Sequence, residues 1–194
     1  MSALAWALVP VAYLIGTFPS ATLIARANGV DIRRVGSGNP GASNVTRVLG
    51  WKRGIWVFVL DAAKGALAAG IGLVVADRPA GYVLGAVAVV GHVFPVWERF
   101  RGGKGVATGG GIAAVMVPIA FAALIALWFA ISKLSGKASV ASIVIVALLP
   151  VGVAIERRTW WEVVAIVVVC ALVMARHTGN IARLVRGREH NLGT

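Results

Sequence analysis

Between Ala3 and Ala25 no side chain carries a formal charge. A helix needs about 20 such residues to cross the ~30 Å hydrocarbon core of a bilayer. Further apolar segments follow at about 54–76, 80–97, 106–132, 138–155 and 160–175. Over the whole chain of 194 residues, 59% are hydrophobic and 13% charged, where a soluble domain carries roughly 25% charged residues. A soluble domain of this size would leave much of that apolar surface in water. Disorder is excluded as well, because it requires few apolar residues and high charge. The composition predicts an all-α integral membrane protein, a single polytopic domain over 1–194. The lone cysteine, Cys170, provides neither an intrachain disulfide nor a zinc framework.

The net charge is +12 and the pI about 11.5. A basic pI often signals nucleic acid. In a multispan chain it has a simpler cause, the gathering of Lys and Arg on cytoplasmic loops, so no nucleic-acid partner is expected. No cation precedes the first apolar run, which therefore lacks the n-region of a signal peptide and reads as a span with the N-terminus outside. Arg26, Arg33, Arg34, Arg47, Lys52 and Arg53 then mark the inner side. The stretch 106–132 is too long for an economical single span and carries Pro118 near its middle. A single crossing would put Lys133, Lys137 and the basic tail outside. A hairpin of two short helices broken near Pro118, where proline removes a backbone donor, returns them inside. Only Arg78, Arg157 and Arg158 then lie outside, and Lys64 within a span. The expectation is about seven helical segments, with the C-terminus cytoplasmic.

Three polar clusters share the inner side of that topology. The first is Gly36-Ser37-Gly38-Asn39-Pro40-Gly41-Ala42-Ser43-Asn44-Val45-Thr46-Arg47. It fits G-x-G-x-x-G, but a dinucleotide site also needs a preceding strand and a crossover, which do not fit between two spans. What remains is a glycine-rich loop able to turn N–H groups toward an anion. An ordinary turn would account for the glycines but not for the density of hydroxyl, amide and guanidinium groups. The second cluster comprises Gly91-His92-Val93-Phe94-Pro95 and Phe100-Arg101-Gly102-Gly103-Lys104-Gly105-Val106-Ala107-Thr108. Its lysine stands at the start of a helical segment, where free N–H groups and the helix dipole favour phosphate. The third holds His177, Asn180, Arg183, Gly187 and Glu189, of which His177 and Asn180 share a helical face. An amphipathic surface helix on anionic lipid is the plainer reading of the third cluster. Three phosphate-compatible clusters on one face favour a site.

Asp61 and Lys64 stand three residues apart inside a span, where ionisable residues are paired or functional. A structural ion pair beside the cavity is the favoured expectation, and direct substrate contact the alternative. Ser139 and Ser142, also three apart near the inner mouth, fit helix packing and function equally well. No metal site is expected, since no two histidines stand four apart and the seven acidic residues form no cluster. The G-x-S-x-G and H-x4-D signatures are absent. An anion channel could also use broken helices and basic loops, but it would spread polar groups through both faces. A structural lipid-binding protein would leave the dense inner motifs unexplained.

These motifs resemble those of the PlsY family, the membrane acyl-phosphate:glycerol-3-phosphate acyltransferases. The likeness covers nearly the whole chain. It begins with Tyr13-Leu14-Ile15-Gly16-Thr17-Phe18-Pro19 and Asp31-Ile32-Arg33. It continues through residues 36–47, Asp61 with Lys64-Gly65, and 91–108. It closes with His177, Asn180-Ile181, Arg183-Leu184, Gly187 and Glu189. Ser43 stands where the family often has threonine, and Thr46 where the position is usually apolar. The resemblance implies acyl transfer from acyl phosphate to glycerol 3-phosphate, without a cofactor or metal, in the bacterial cytoplasmic membrane with the site facing the cytosol. It also implies the enzyme supplying acyl phosphate as a partner. Arg47, Lys104 and His177 are the expected catalytic residues. Ser37, Gly38, Asn39, Asn44, Gly102, Gly103, Thr108, Ser142 and Asn180 complete the expected substrate-binding set. His177 is expected to orient the glycerol hydroxyl. Its proton goes either to His177 or to a substrate phosphate.

Overall fold

The computed structural model describes residues 3–157 and 159–192 and is helical throughout its regular elements. Arg158 lies outside the described residues. The first apolar run is not one straight helix but three pieces, α1 (Ala3–Ala7), α2 (Val9–Gly16) and α3 (Ser20–Arg26). Pro10 sits in the first turn of α2, where its missing N–H costs nothing. Pro19, three residues beyond the end of α2, stands immediately before α3 and cannot donate a backbone bond that would continue α2. Together the pieces are long and apolar enough for one span. After a loop come α4 (Ala42–Leu49), α5 (Trp51–Val75) and α6 (Arg78–Val93).

The stretch 106–132 does break at its proline. α7 (Val106–Met116) ends at Val117, and α8 (Pro118–Ser135) begins there. Only α7 is short. At 18 residues α8 is long and apolar enough to cross by itself, because nothing after Pro118 interrupts the helix until Gly136, which takes a positive φ. Then follow α9 (Ala138–Arg157), α10 (Trp160–Ala175) and α11 (Thr178–Val185). Five segments pass as spans by length and composition, and the bent pair α10–α11 makes a sixth among the described residues.

Polar ties define two ends of the bundle. At one, Arg78 pairs with the buried Glu162 at 2.6 Å and donates to the Met116 carbonyl at 2.9 Å. Tyr82 donates to the same carboxylate at 2.8 Å. Nearby, Glu156 accepts from the Ala120 amide at 2.7 Å. At the other end lie α4, the start of α9 and the residues after α10. α5, α6, α8, α9 and α10 each run between these ends, as α1–α3 do jointly, while the short α7 covers only part of the distance.

Small residues set the closest contacts. A Cβ on Gly65 of α5 would overlap the Thr108 carbonyl of α7, and one on Gly111 of α7 would overlap the Ala62 carbonyl of α5. This is the close backbone approach that small residues allow between membrane helices. It fixes α7 rigidly on α5. Eleven residues of helix measure about 16 Å, and the C-terminus of α7 is level with Arg78. Its N-terminus therefore lies well below the opposite end of the bundle. The loop before it packs on the last turn of α6, where the buried Gly102 and Gly103 donate to the Val93 and His92 carbonyls at 3.0 and 3.1 Å.

Candidate active site

A cleft opens at the end opposite Arg78, enclosing about 1570 Å³ including its open mouth. Its polar part is lined by Ser37, Asn39, Arg47, Lys104, His177 and Asn180. Its apolar part continues between α5, α7, α8, α9 and α10, along Phe58, Phe121, Leu124, Ile145, Leu149 and Val169. Residues from all three polar sequence clusters thus meet on one surface.

Asn44 builds the first cluster. Its amide nitrogen donates to the carbonyls of Ile32 and Val35 at 3.2 and 3.1 Å. Its oxygen accepts from the Ser37 amide at 2.9 Å and from Arg47 Nη1 at 3.1 Å. Asn44 is buried and engaged on both sides of its amide, so it shapes the loop that presents Ser37 and Asn39. Arg47, one helical turn later on α4, faces the cleft. Burial lowers its pKa from the ordinary arginine value, but the guanidinium stays charged.

Lys104 reaches the cleft from the recessed loop before α7. Gly105 follows it with φ +89°, a conformation that favours glycine. A Cβ on Gly103 would overlap the His92 ring, so the loop lies directly on that side chain. The Lys104 ammonium donates to Asn180 Oδ1, and Asn180 Nδ2 donates to Glu189 Oε1 at 2.8 Å. Burial pulls the Lys104 pKa down to about 8. Glu189 opposes that shift, while Arg183, Arg47 and Arg176 add to it. An anion held beside Lys104 would favour its charged form.

His177 is 2% exposed and lines the cleft at the head of α11. Its Nδ1 lies 2.8 Å from the Val173 carbonyl. A carbonyl can only accept, so Nδ1 carries the proton and neutral His177 keeps Nε2 as an acceptor. The tail then folds back across the mouth. Glu189 pairs with Arg183 at 2.9 Å, Arg47 Nε donates to the Asn191 carbonyl at 2.6 Å, and the Leu192 amide donates to Gly136 at 2.7 Å.

The structure divides the expected binding residues. Ser37, Asn39, Asn44, Arg47, Lys104, Ser142, His177 and Asn180 line the cleft, while Gly38, Gly102, Gly103 and Thr108 do not. Gly102 and Gly103 border a smaller neighbouring cavity with Lys64 and His92. Thr108 is fully buried on α7. Asp61 and Lys64 pair at 2.6 Å. Ser20 donates to Asp61, and Lys64 donates to the Phe18 carbonyl at 2.7 Å. His92 Nδ1 stands 3.3 Å from the Lys64 ammonium. This cluster ties α3, α5 and α6 together directly beneath the Lys104 loop. The apolar wall on α8 and the contacts of Asn191 and Leu192 carried no signal in the sequence, where they look like any span and any tail. Among the described residues no three His, Cys, Asp or Glu side chains come close enough to hold a metal.

Residues 6–187 match the model of a family described as glycerol-3-phosphate acyltransferase. The chain belongs to that family. A glycerol-3-phosphate acyltransferase of Desulforudis audaxviator is 39% identical over 191 residues, covering 97% of this chain and 96% of the relative. One from Myxococcus xanthus is 41% identical over 186 residues, covering 94% and 97%. Among solved structures, the glycerol 3-phosphate form of PlsY, an integral membrane glycerol 3-phosphate acyltransferase, superposes with a TM-score of 0.92. It is 38% identical, and the match covers 98% of this chain and 96% of that one. Its lysophosphatidic acid form gives 0.89 at 37% identity, covering 96% and 94%. This acyltransferase is therefore an all-helical integral membrane enzyme of the PlsY type.

Proposed function

We propose that the enzyme transfers a fatty acyl group from acyl phosphate to glycerol 3-phosphate, forming 1-acylglycerol 3-phosphate and inorganic phosphate. One observation carries this reading: a single cleft joins a cationic mouth at Arg47 and Lys104 to an apolar channel. Both substrates are phosphates and one bears a long acyl chain, so a site for both needs these two parts in continuity. The forms of the related PlsY structures, with glycerol 3-phosphate and with lysophosphatidic acid, support the acceptor and the product.

Acyl phosphate is an activated donor. The protein has to hold two anions together against their repulsion and stabilise charge on the carbonyl oxygen and the departing phosphate. Lys104, Arg47, Ser37, Asn39 and Asn180 serve the phosphates. His177 Nε2 accepts a hydrogen bond from the glycerol hydroxyl and aims its oxygen at the acyl carbon. The new ester C–O bond forms as the C–O bond to phosphate breaks, and the hydroxyl proton leaves on the phosphate product or through His177. The whole chain, 1–194, acts as one polytopic domain in the bacterial cytoplasmic membrane. Its cationic end faces the cytosol, where the enzyme that makes acyl phosphate delivers the donor and where phospholipid synthesis begins.

The test is an assay of purified protein with acyl phosphate, labelled glycerol 3-phosphate and no added metal. Labelled lysophosphatidic acid and one phosphate per turnover are expected. Comparable turnover with acyl-CoA, or none with acyl phosphate, overturns the donor assignment.

A further inference from the structure

Ser139 and Ser142 stand three residues apart at the start of α9, and both line the cleft. Their hydroxyls differ. Ser142 Oγ accepts from the Trp128 indole at 3.0 Å, a bond that ties α8 to α9. Ser139 is 7% exposed, and its Oγ is buried with no hydrogen-bond partner among the described residues. Folded proteins pair the large majority of buried polar atoms, so this hydroxyl lacks a partner that the protein does not supply. Thr108 and Ser132 have unpartnered Oγ atoms too, but neither lines the cleft.

The surroundings say what that partner is. Ser139 lies in the first turn of a 20-residue helix. There the backbone N–H groups have no acceptor within the helix, and the dipole favours negative charge. The turn before α9 is linked to Arg47 through the tail. Lys137 donates to the Asn191 side chain at 3.4 Å, and Arg47 donates to the Asn191 carbonyl at 2.6 Å. A cation, a positive helix end and a free buried hydroxyl thus border the same part of the cleft. We propose that Ser139 donates its hydroxyl hydrogen to an oxygen of a substrate phosphate on the Arg47 side of the cleft. This rests on the acyl-transfer reading above. Ser142 beside it accepts from Trp128 and also lines the cleft, so its own hydroxyl hydrogen remains free to donate.

The phosphate could belong to acceptor or donor, and kinetics separate them. Ser139→Ala and Ser132→Ala are purified beside wild type and assayed with both substrates varied. Ser139→Ala should raise KM about tenfold or more for one of them, the effect of losing a hydrogen bond to a charged group. A rise for glycerol 3-phosphate places its phosphate there, and a rise for acyl phosphate places the donor there. Ser132→Ala removes an equally buried hydroxyl outside the cleft and should leave both KM values unchanged. Neither variant should lower Tm, since neither loses a bond within the protein. As a readout without turnover, inorganic phosphate should raise Tm more for wild type than for Ser139→Ala. Wild-type KM values for both substrates with equal phosphate shifts overturn the proposal, as does a Ser139→Ala protein that fails to fold. Wild-type protein that makes no lysophosphatidic acid overturns the acyl-transfer reading instead.

Discussion

Lys104 donates to Asn180 Oδ1 across the cleft, joining the loop before α7 to α11. The two residues are far apart in sequence, yet each sits where its own element makes it rigid. Lys104 precedes a short helix locked onto α5 by Gly65 and Gly111. Asn180 is held from behind by Glu189, which also grips Arg183. The ammonium is thus placed before substrate arrives, the arrangement electrostatic catalysis requires.

A pH dependence follows. With its pKa near 8, Lys104 is charged below that pH and neutral above it. If the cation binds phosphate, kcat/KM should fall as pH rises through about 8, because that ratio reports the free enzyme. Lys104→Arg should move this limb to higher pH, since arginine does not deprotonate in the working range. Lys104→Ala should lower kcat/KM by ~10² or more, the loss of a charge-assisted bond of roughly 1.5–3 kcal/mol in a site partly screened from water. A Lys104→Arg profile that coincides with wild type would assign the limb to another group.

Arg47 has two tasks. It reaches the cleft, and it holds the tail through Asn191. Arg47→Ala should therefore cost activity by ~10² or more through lost phosphate contact and also loosen the tail that carries Asn191. Arg47→Lys keeps the charge but not the planar fork, so it should remain impaired. Activity per monodisperse protein is the measurement. Near wild-type values for Arg47→Ala would make Arg47 an anchor of the fold rather than a substrate ligand.

Sidedness is tested by cysteine labelling in intact cells, with the native Cys170 buried. Cysteines replacing Ser43, Arg101 and Arg188 should react only after the inner face is exposed, and one replacing the exposed Pro79 should react from outside. Ser135→Cys, at the cleft-side end of α8, should behave like Ser43→Cys. Its labelling from outside would reject the hairpin at Pro118.

Much of this was legible because membrane helices obey few rules. Apolar runs longer than any core helix needs marked the spans, and the break at Pro118 followed from charge counting and a missing N–H. The three polar clusters stood out because hydroxyl, amide and cationic side chains crowd among glycines there more densely than a turn between spans requires. The length of α8 was not legible, since no residue between Pro118 and Ser135 signals an end. Nor was the Arg78–Glu162 tie at the far end, which is nonlocal and formed by residues that look like ordinary loop charges. Thr108 and Ser142 read as polar groups near a site. Which hydroxyl faces the cleft, and which is already bonded, depends on the rotation of α7 and α9 against their neighbours.

The run Gly109-Gly110-Gly111 yields the last prediction, because its glycines differ in purpose. Gly111 is required by packing, for its Cβ would overlap the Ala62 carbonyl of α5. Gly109 and Gly110 have no such reason. A Cβ at Gly109 would meet Val169 at 3.9 Å, and one at Gly110 would meet Phe121 at 3.6 Å, both ordinary contacts. Neither has a positive φ, and glycine within a helix costs up to about 1 kcal/mol relative to alanine. Both line the cleft at the level of its apolar wall. If the acyl chain of the proposed donor lies along this wall, their bareness keeps width for it. Gly110→Ala should fold as well as wild type or better and stay active. Gly110→Leu should fold yet lose activity with long-chain acyl phosphate much more than with a short-chain donor, because only the long chain passes α7. Gly111→Ala should instead lower Tm, by forcing α5 and α7 apart, without changing chain-length preference. If Gly110→Leu keeps the wild-type preference across a series of acyl phosphates, the chain takes another path.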